Sequence, residues 1–146
     1  MNISIEKVMK KFRNFASSHQ QISTFEDKPI SENVAKNISY PLMFIDLQGM
    51  TASFQTGQVV ITLPVYMLDR VDRQLNNLEK ILSERLLVMD DFYTYFTDNE
   101  CEFGFYFNDN GSATPVIYEF DDFVAGYTMN ISMQMKNRRN ESQIPM

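Results

Sequence analysis

Ten residues near the C-terminus, Tyr127 to Lys136, alternate without a break. Tyr127, Met129, Ile131, Met133 and Met135 fall on one side, and Thr128, Asn130, Ser132, Gln134 and Lys136 on the other. A helix would scatter these side chains around its axis, whereas a strand sorts them onto two faces. One face apolar and one polar is the pattern of a half-buried strand in an antiparallel sheet. Whatever else the chain builds, it must cover one side of such a strand.

Two helical patterns can supply the cover. Over residues 3–19, Ile5, Val8, Met9, Phe12, Phe15 and Ala16 recur at helical spacing, with Lys7, Lys10, Lys11, Arg13 and Asn14 opposite. Over 72–96, Leu75, Leu78, Ile81, Leu82, Leu86, Met89, Phe92, Tyr93 and Phe96 do the same, with Asp69 or Asp72 placed to cap the start. Residues 20–39 are polar and aperiodic and read as a long loop. Between the helices, Leu42–Leu47 reads as a strand opened by Pro41. A second strand alternates from Val59, with Val59, Ile61, Leu63 and Val65 on one face and Val60, Thr62, Pro64 and Tyr66 on the other. The turn-rich stretch 49–57 makes the pair a hairpin with a long connection. After the second helix, Cys101–Phe107 reads as a strand whose stretch Phe103–Phe107 carries large apolar groups on both faces. Asn108-Asp109-Asn110-Gly111 is a turn signal, and Val116–Phe120 reads as the return strand of a hairpin. Residues 121–126 then link to the final strand, and 137–146 form a polar tail. The expected architecture is α+β, an antiparallel sheet with two helices packed on it in the order α-β-β-α-β-β-β, within one domain spanning 1–146.

Chemistry is sparse. The one histidine, His19, sits where the first helix ends and cannot form a two-histidine metal motif. The one cysteine, Cys101, lies between Glu100 and Glu102, which disfavour a thiolate, and it cannot form an intrachain disulfide. Asp90–Asp91 and Asp121–Asp122 are adjacent pairs whose side chains diverge, and there is no EF-hand loop or phosphate-binding glycine loop. No metal, cofactor or catalytic residue is expected. Thirteen Lys and Arg against 19 Asp and Glu give a net charge of -6, which weighs against a dedicated nucleic-acid binder. The start of the chain lacks the pattern of a signal peptide, and apolar runs of about five residues fall far short of a membrane span. Synthesis in a reducing cytoplasm is expected, with no membrane partner.

Surfaces for partners are easier to nominate. The doubly apolar strand (Phe103, Phe105, Phe107) and the methionine face (Tyr127, Met129, Met133, Met135) can serve as core or as subunit contact. The basic cluster Lys136, Arg138 and Arg139 can touch an acidic surface or remain solvated.

Four segments carry a likeness. They are Tyr40-Pro41-Leu42, Val65-Tyr66-Met67-Leu68-Asp69-Arg70, Ile81-Leu82-Ser83-Glu84-Arg85-Leu86, and Asp122-Phe123-Val124-Ala125-Gly126-Tyr127 with a terminal Ile144-Pro145. In their order and spacing the chain resembles the tail-completion or head-to-tail connector proteins of tailed bacteriophages, particularly those of crAss-like and related Bacteroidetes phages. Related chains often carry tryptophan where Tyr127 stands, and some carry cysteine where Gln143 stands. The resemblance implies a tail-terminator-like fold and a non-enzymatic virion protein made in the bacterial cytoplasm. It would form a homo-oligomeric ring of six or twelve copies between adjacent portal, neck or tail rings. It would surround the DNA-conducting channel, touch DNA only non-specifically and present an acidic or neutral lumen. A small adaptor that binds a protein groove, and an enzyme working through carboxylates such as Asp90 and Asp91, are the competing readings.

Overall fold

The computed structural model describes residues 5–28, 38–55, 57–72, 74–100, 105–107, 111–119 and 123–136. They form a mixed α+β fold with two helices and a twisted sheet. The helices are α1 (Ile5–Ser18) and α2 (Leu78–Asp98). The strands are β1 (Thr24–Glu26), β2 (Leu42–Ile45), β3 (Thr51–Gln55), β4 (Gln58–Val71), β5 (Phe105–Phe107), β6 (Ala113–Glu119) and β7 (Phe123–Lys136).

The sheet is organised around its two longest strands. β4 and β7 pair antiparallel along their whole lengths, from Gln58 opposite Lys136 to Val71 opposite Phe123. β2 and β3 share the outer edge of β4, and β5 and β6 share the outer edge of β7. The alternation then decides which face is covered. Ile61, Leu63, Val65 and Met67 on β4, and Met129, Ile131 and Met133 on β7, all point to the helix side and are buried. α1 meets them with Val8, Met9, Phe12, Phe15 and Ala16, and α2 with Val88, Met89, Phe92 and Phe96. Phe12 is the hub, with ring centroids 5.3 Å from Phe92, 5.0 Å from Phe96 and 6.4 Å from Phe105 in edge-on contacts.

Several expectations are corrected. The second strand does not stop at Tyr66 but runs to Val71, because β7 begins at Phe123 and offers it partners that far. Residues 123–126 are therefore strand rather than link. The second helix accordingly starts at Leu78 rather than near residue 72. Asp69 lies within β4, and Asp72 organises a turn ahead of the helix by accepting from the backbone N–H of Gln74 and Asn76. The stretch read as a connection, 49–57, contains β3, which joins β4 with two residues between the partners Gln55 and Gln58; Gly57 has φ +77°. The long loop 20–39 contains β1, which pairs parallel with β2, so the sheet is not wholly antiparallel. The chain between Glu26 and Leu42 is long enough to make that parallel return. Finally, Phe105–Phe107 and Ala113–Glu119 do not form a hairpin. Both run antiparallel to β7 and so run in the same direction, as two pieces of one interrupted edge. The element order carries four strands before α2 instead of two.

One polar residue interrupts the core-facing stripe of α2. Arg85 is 1% exposed. Its guanidinium donates to the Gln21 carbonyl oxygen at 2.9 Å and to Gln21 Oε1 at 3.3 Å, while its Nε has no partner. Burial lowers its pKa from the ordinary arginine value, against the nearby charges of Asp69 and Glu84, which favour the cation. It ties the segment that follows α1 to α2.

Candidate interface on the uncovered face and edges of the sheet

Because both helices pack on one side, the even-numbered residues of β4 face the other. There Leu42, Leu68, Val124 and Ile38 form a small buried cluster, ringed by the half-buried Tyr40, Phe44, Tyr66 and Val116. Register builds this patch. Leu42 is opposite Leu68, Phe44 opposite Tyr66, and Val116 and Tyr118 lie beyond β7 opposite Gly126 and Val124. Phe44 stacks on Tyr66 at 5.4 Å, and Tyr118 approaches Tyr66 at 6.3 Å. Arg70 places its guanidinium 5.1 Å from the Tyr40 ring centre, a cation–π geometry. Farther along, Thr62 and Ser132 join hydroxyls at 2.9 Å and the face becomes polar. Neither α1 nor α2 packs on this side, and a short 3-10 turn, Leu47–Gly49, comes against Pro64.

The patch has an electrostatic signature. Burial pushes the Tyr118 phenol up to about 12, and its hydrogen bond to Tyr66 adds to the shift. Folded protein thus keeps this proton to about pH 12, while the unfolded chain releases it near 10.0. The stabilisation is complete below pH 10 and is lost as pH rises through about 12. Urea melts at pH 9 and pH 11 should therefore show a steeper stability loss in the native sequence than in Tyr118→Phe. Equal losses in both would contradict the hydrogen-bonded phenol.

The interface candidates nominated from sequence divide sharply. Phe105, Phe107, Met129 and Met133 are buried against the helices. They make the core, and their side chains present almost nothing to a neighbour. Tyr127 is half-buried against the same core. Met135 and Lys136 are placed by backbone register, opposite Val59 and Gln58 at the end of β7. Phe103, Arg138, Arg139, Cys101 and the pair Asp121–Asp122 lie outside the described residues. His19 follows directly on α1 and pairs through Nε2 with Asp91 Oδ2 at 2.9 Å. Among the described residues there is no group of three or more His, Cys, Asp or Glu that could hold a metal ion. No described helix is long and apolar enough to cross a membrane.

Local sequence pattern does not reveal Phe44, Tyr66 and Tyr118 as a group, nor Phe54, which is 80% exposed on β3. Tyr66 was visible on the outward face of an alternating strand. Its meeting with Tyr118 depends on a register that local pattern does not contain.

No known family model matches the sequence, and no curated protein matches it.

Proposed function

We propose that the chain is a structural ring subunit of a phage neck or tail, joining the portal side to the tail around the DNA channel, with a tail-terminator-like fold and no catalytic role. The observation that carries this reading is the one-sided helix packing. Among the described residues it leaves the partly exposed aromatic rim of Phe44, Tyr66 and Tyr118 and one-sided strand edges, β3 and β6 among them, for contact with neighbours, where a self-sufficient monomer would cover or charge them. The four sequence segments that resemble connector proteins supply the setting. An adaptor that fills one groove needs only one such surface. The ring reading is tested by electron-microscopic averages of the purified chain at high concentration. Closed rings of six or twelve copies around an open centre are expected, and a particle that never exceeds a compact monomer or dimer counts against it.

A further inference from the structure

Four strands have a described partner on one side only, β1 and β3 on the β4 side of the sheet and β5 and β6 on the β7 side, and two of them lie on opposite sides next to the central pair. One is β3, which pairs only with β4, and the other is β6, which pairs only with β7. β3 reads Thr51-Ala52-Ser53-Phe54-Gln55, exposed at every position. Edge strands are ordinarily protected by charge, proline or a bulge. β3 has no charged residue and no proline, and instead presents Phe54.

Register identifies the groups each edge offers. Gln55 and Gln58 are partners across a two-residue connection, so they form a hydrogen-bonded pair. Alternation along the ladder then turns the N–H and C=O of Ala52 and Phe54 away from β4. On β6, Pro115 has no N–H to give, which places its outward side away from β7, with Ile117 and Glu119 alternating onto the same side. Direction also agrees. β3 runs against β4, β4 against β7 and β7 against β6, so β3 and β6 are antiparallel. Copies set side by side with their strands in the same sense therefore meet in the antiparallel arrangement. Face agrees as well. Phe54 shares the helix side with its partner Val59, and Ile117, 47% exposed, shares it with Ala125.

We infer that β3 of one copy adds to β6 of the next, with Phe54 opposite Ile117 in a hydrogen-bonded pair on the helix side. Ser53 then falls opposite Tyr118 on the far side. This names the contact within the ring proposed above and rests on that reading for its partner, a second copy of the chain. One head-to-tail operation satisfies the β3 and β6 edges together and covers Phe54, Ile117 and Tyr118, three of the large apolar side chains that the fold leaves exposed. A two-fold pairing of β3 with β3 would leave β6 bare. β3 sits at one end of the β4–β7 ladder and β6 at the other. Successive copies therefore step along the strand direction, and a closed ring needs its strands inclined to the ring axis. Without that inclination the same contact propagates as a filament.

The test is sedimentation of the full chain with two edge variants. Ala52→Pro removes an outward N–H without touching the bonds to β4, and Phe54→Lys places a charge on the edge. Each should raise the concentration needed for association by about tenfold or more, because main-chain pairing supplies the affinity in strand addition. Circular dichroism should be unchanged. In a Cys101→Ser background, Phe54→Cys combined with Ile117→Cys should oxidise to a ladder of dimers, trimers and larger species. Variants that associate like the native chain, a dimer formed by Phe54→Cys alone, or a native chain monomeric at every concentration would overturn the pairing. Rings insensitive to both edge variants would overturn the pairing and leave the ring reading standing. Cross-linked filaments without rings would do the reverse.

Discussion

Gly126→Ala is expected to cost about 3 kcal/mol or more, a large part of the roughly 5–15 kcal/mol that holds a domain of this kind together. Gly126 lies inside β7, opposite Leu68. A Cβ there would fall on the carbonyl oxygen of Met67, 2.8 Å from its carbonyl carbon and 3.0 Å from Leu68 Cα. These are backbone atoms of β4, so no rotamer change relieves the overlap. The two strands would have to part within their long ladder, three pairs from its Val71–Phe123 end. Gly57 is the control. Its φ is +77°, but a Cβ there meets nothing within 4 Å, so Gly57→Ala should cost only about 1 kcal/mol from backbone strain. Urea unfolding of both variants measures the difference. A Gly126→Ala protein as stable as Gly57→Ala would contradict the close β4–β7 approach.

Phe12→Ala comes next in size, with an expected loss of about 3–5 kcal/mol. The Phe12 side chain is wholly buried and stands edge-on to Phe92, Phe96 and Phe105, so it joins α1, α2 and β5 at one point. Its removal loses both transfer energy and ring contacts worth about 0.5–1.5 kcal/mol each. The cavity is enclosed by other aromatic rings that cannot collapse into it. Thermal melting should fall by roughly 10 °C. Phe12→Leu, which keeps most of the volume, should lose less than half as much. A Phe12→Ala protein that melts within a few degrees of the native chain would show that α1 is not anchored through this residue.

These two residues also mark what the sequence made legible. Phe12 was readable, because Val8, Met9, Phe12, Phe15 and Ala16 recur at helical spacing and all five are buried. The alternation of β7 was readable for the same reason, with Met129, Ile131 and Met133 on the buried side. Gly126 was not. As a residue type it punctuates loops, and nothing local says that here it admits the close approach of a neighbouring strand's backbone. β3 was also hidden, since Thr51, Ala52 and Ser53 bury no face and leave no periodicity to detect. Asn108-Asp109-Asn110-Gly111 has the composition of a hairpin turn, yet the strands on either side run in one direction because β7 is long enough to pair with both. The aromatic strand that looked available for a neighbour, with Phe105 and Phe107, is core. The available surface, Phe44, Tyr66 and Tyr118 with the β3 edge, is assembled by register between distant segments. Alternation can mark a face as apolar, but only tertiary pairing decides whether a helix or another molecule covers it.

The most direct measurement is electron-microscopic averaging of the assembled protein. Closed rings with six or twelve subunits of 17.1 kDa around an open centre are expected, with neighbouring sheets continuous across the β3 and β6 edges. Compact dimers with no central opening, or subunits in contact only through their helices, would contradict this.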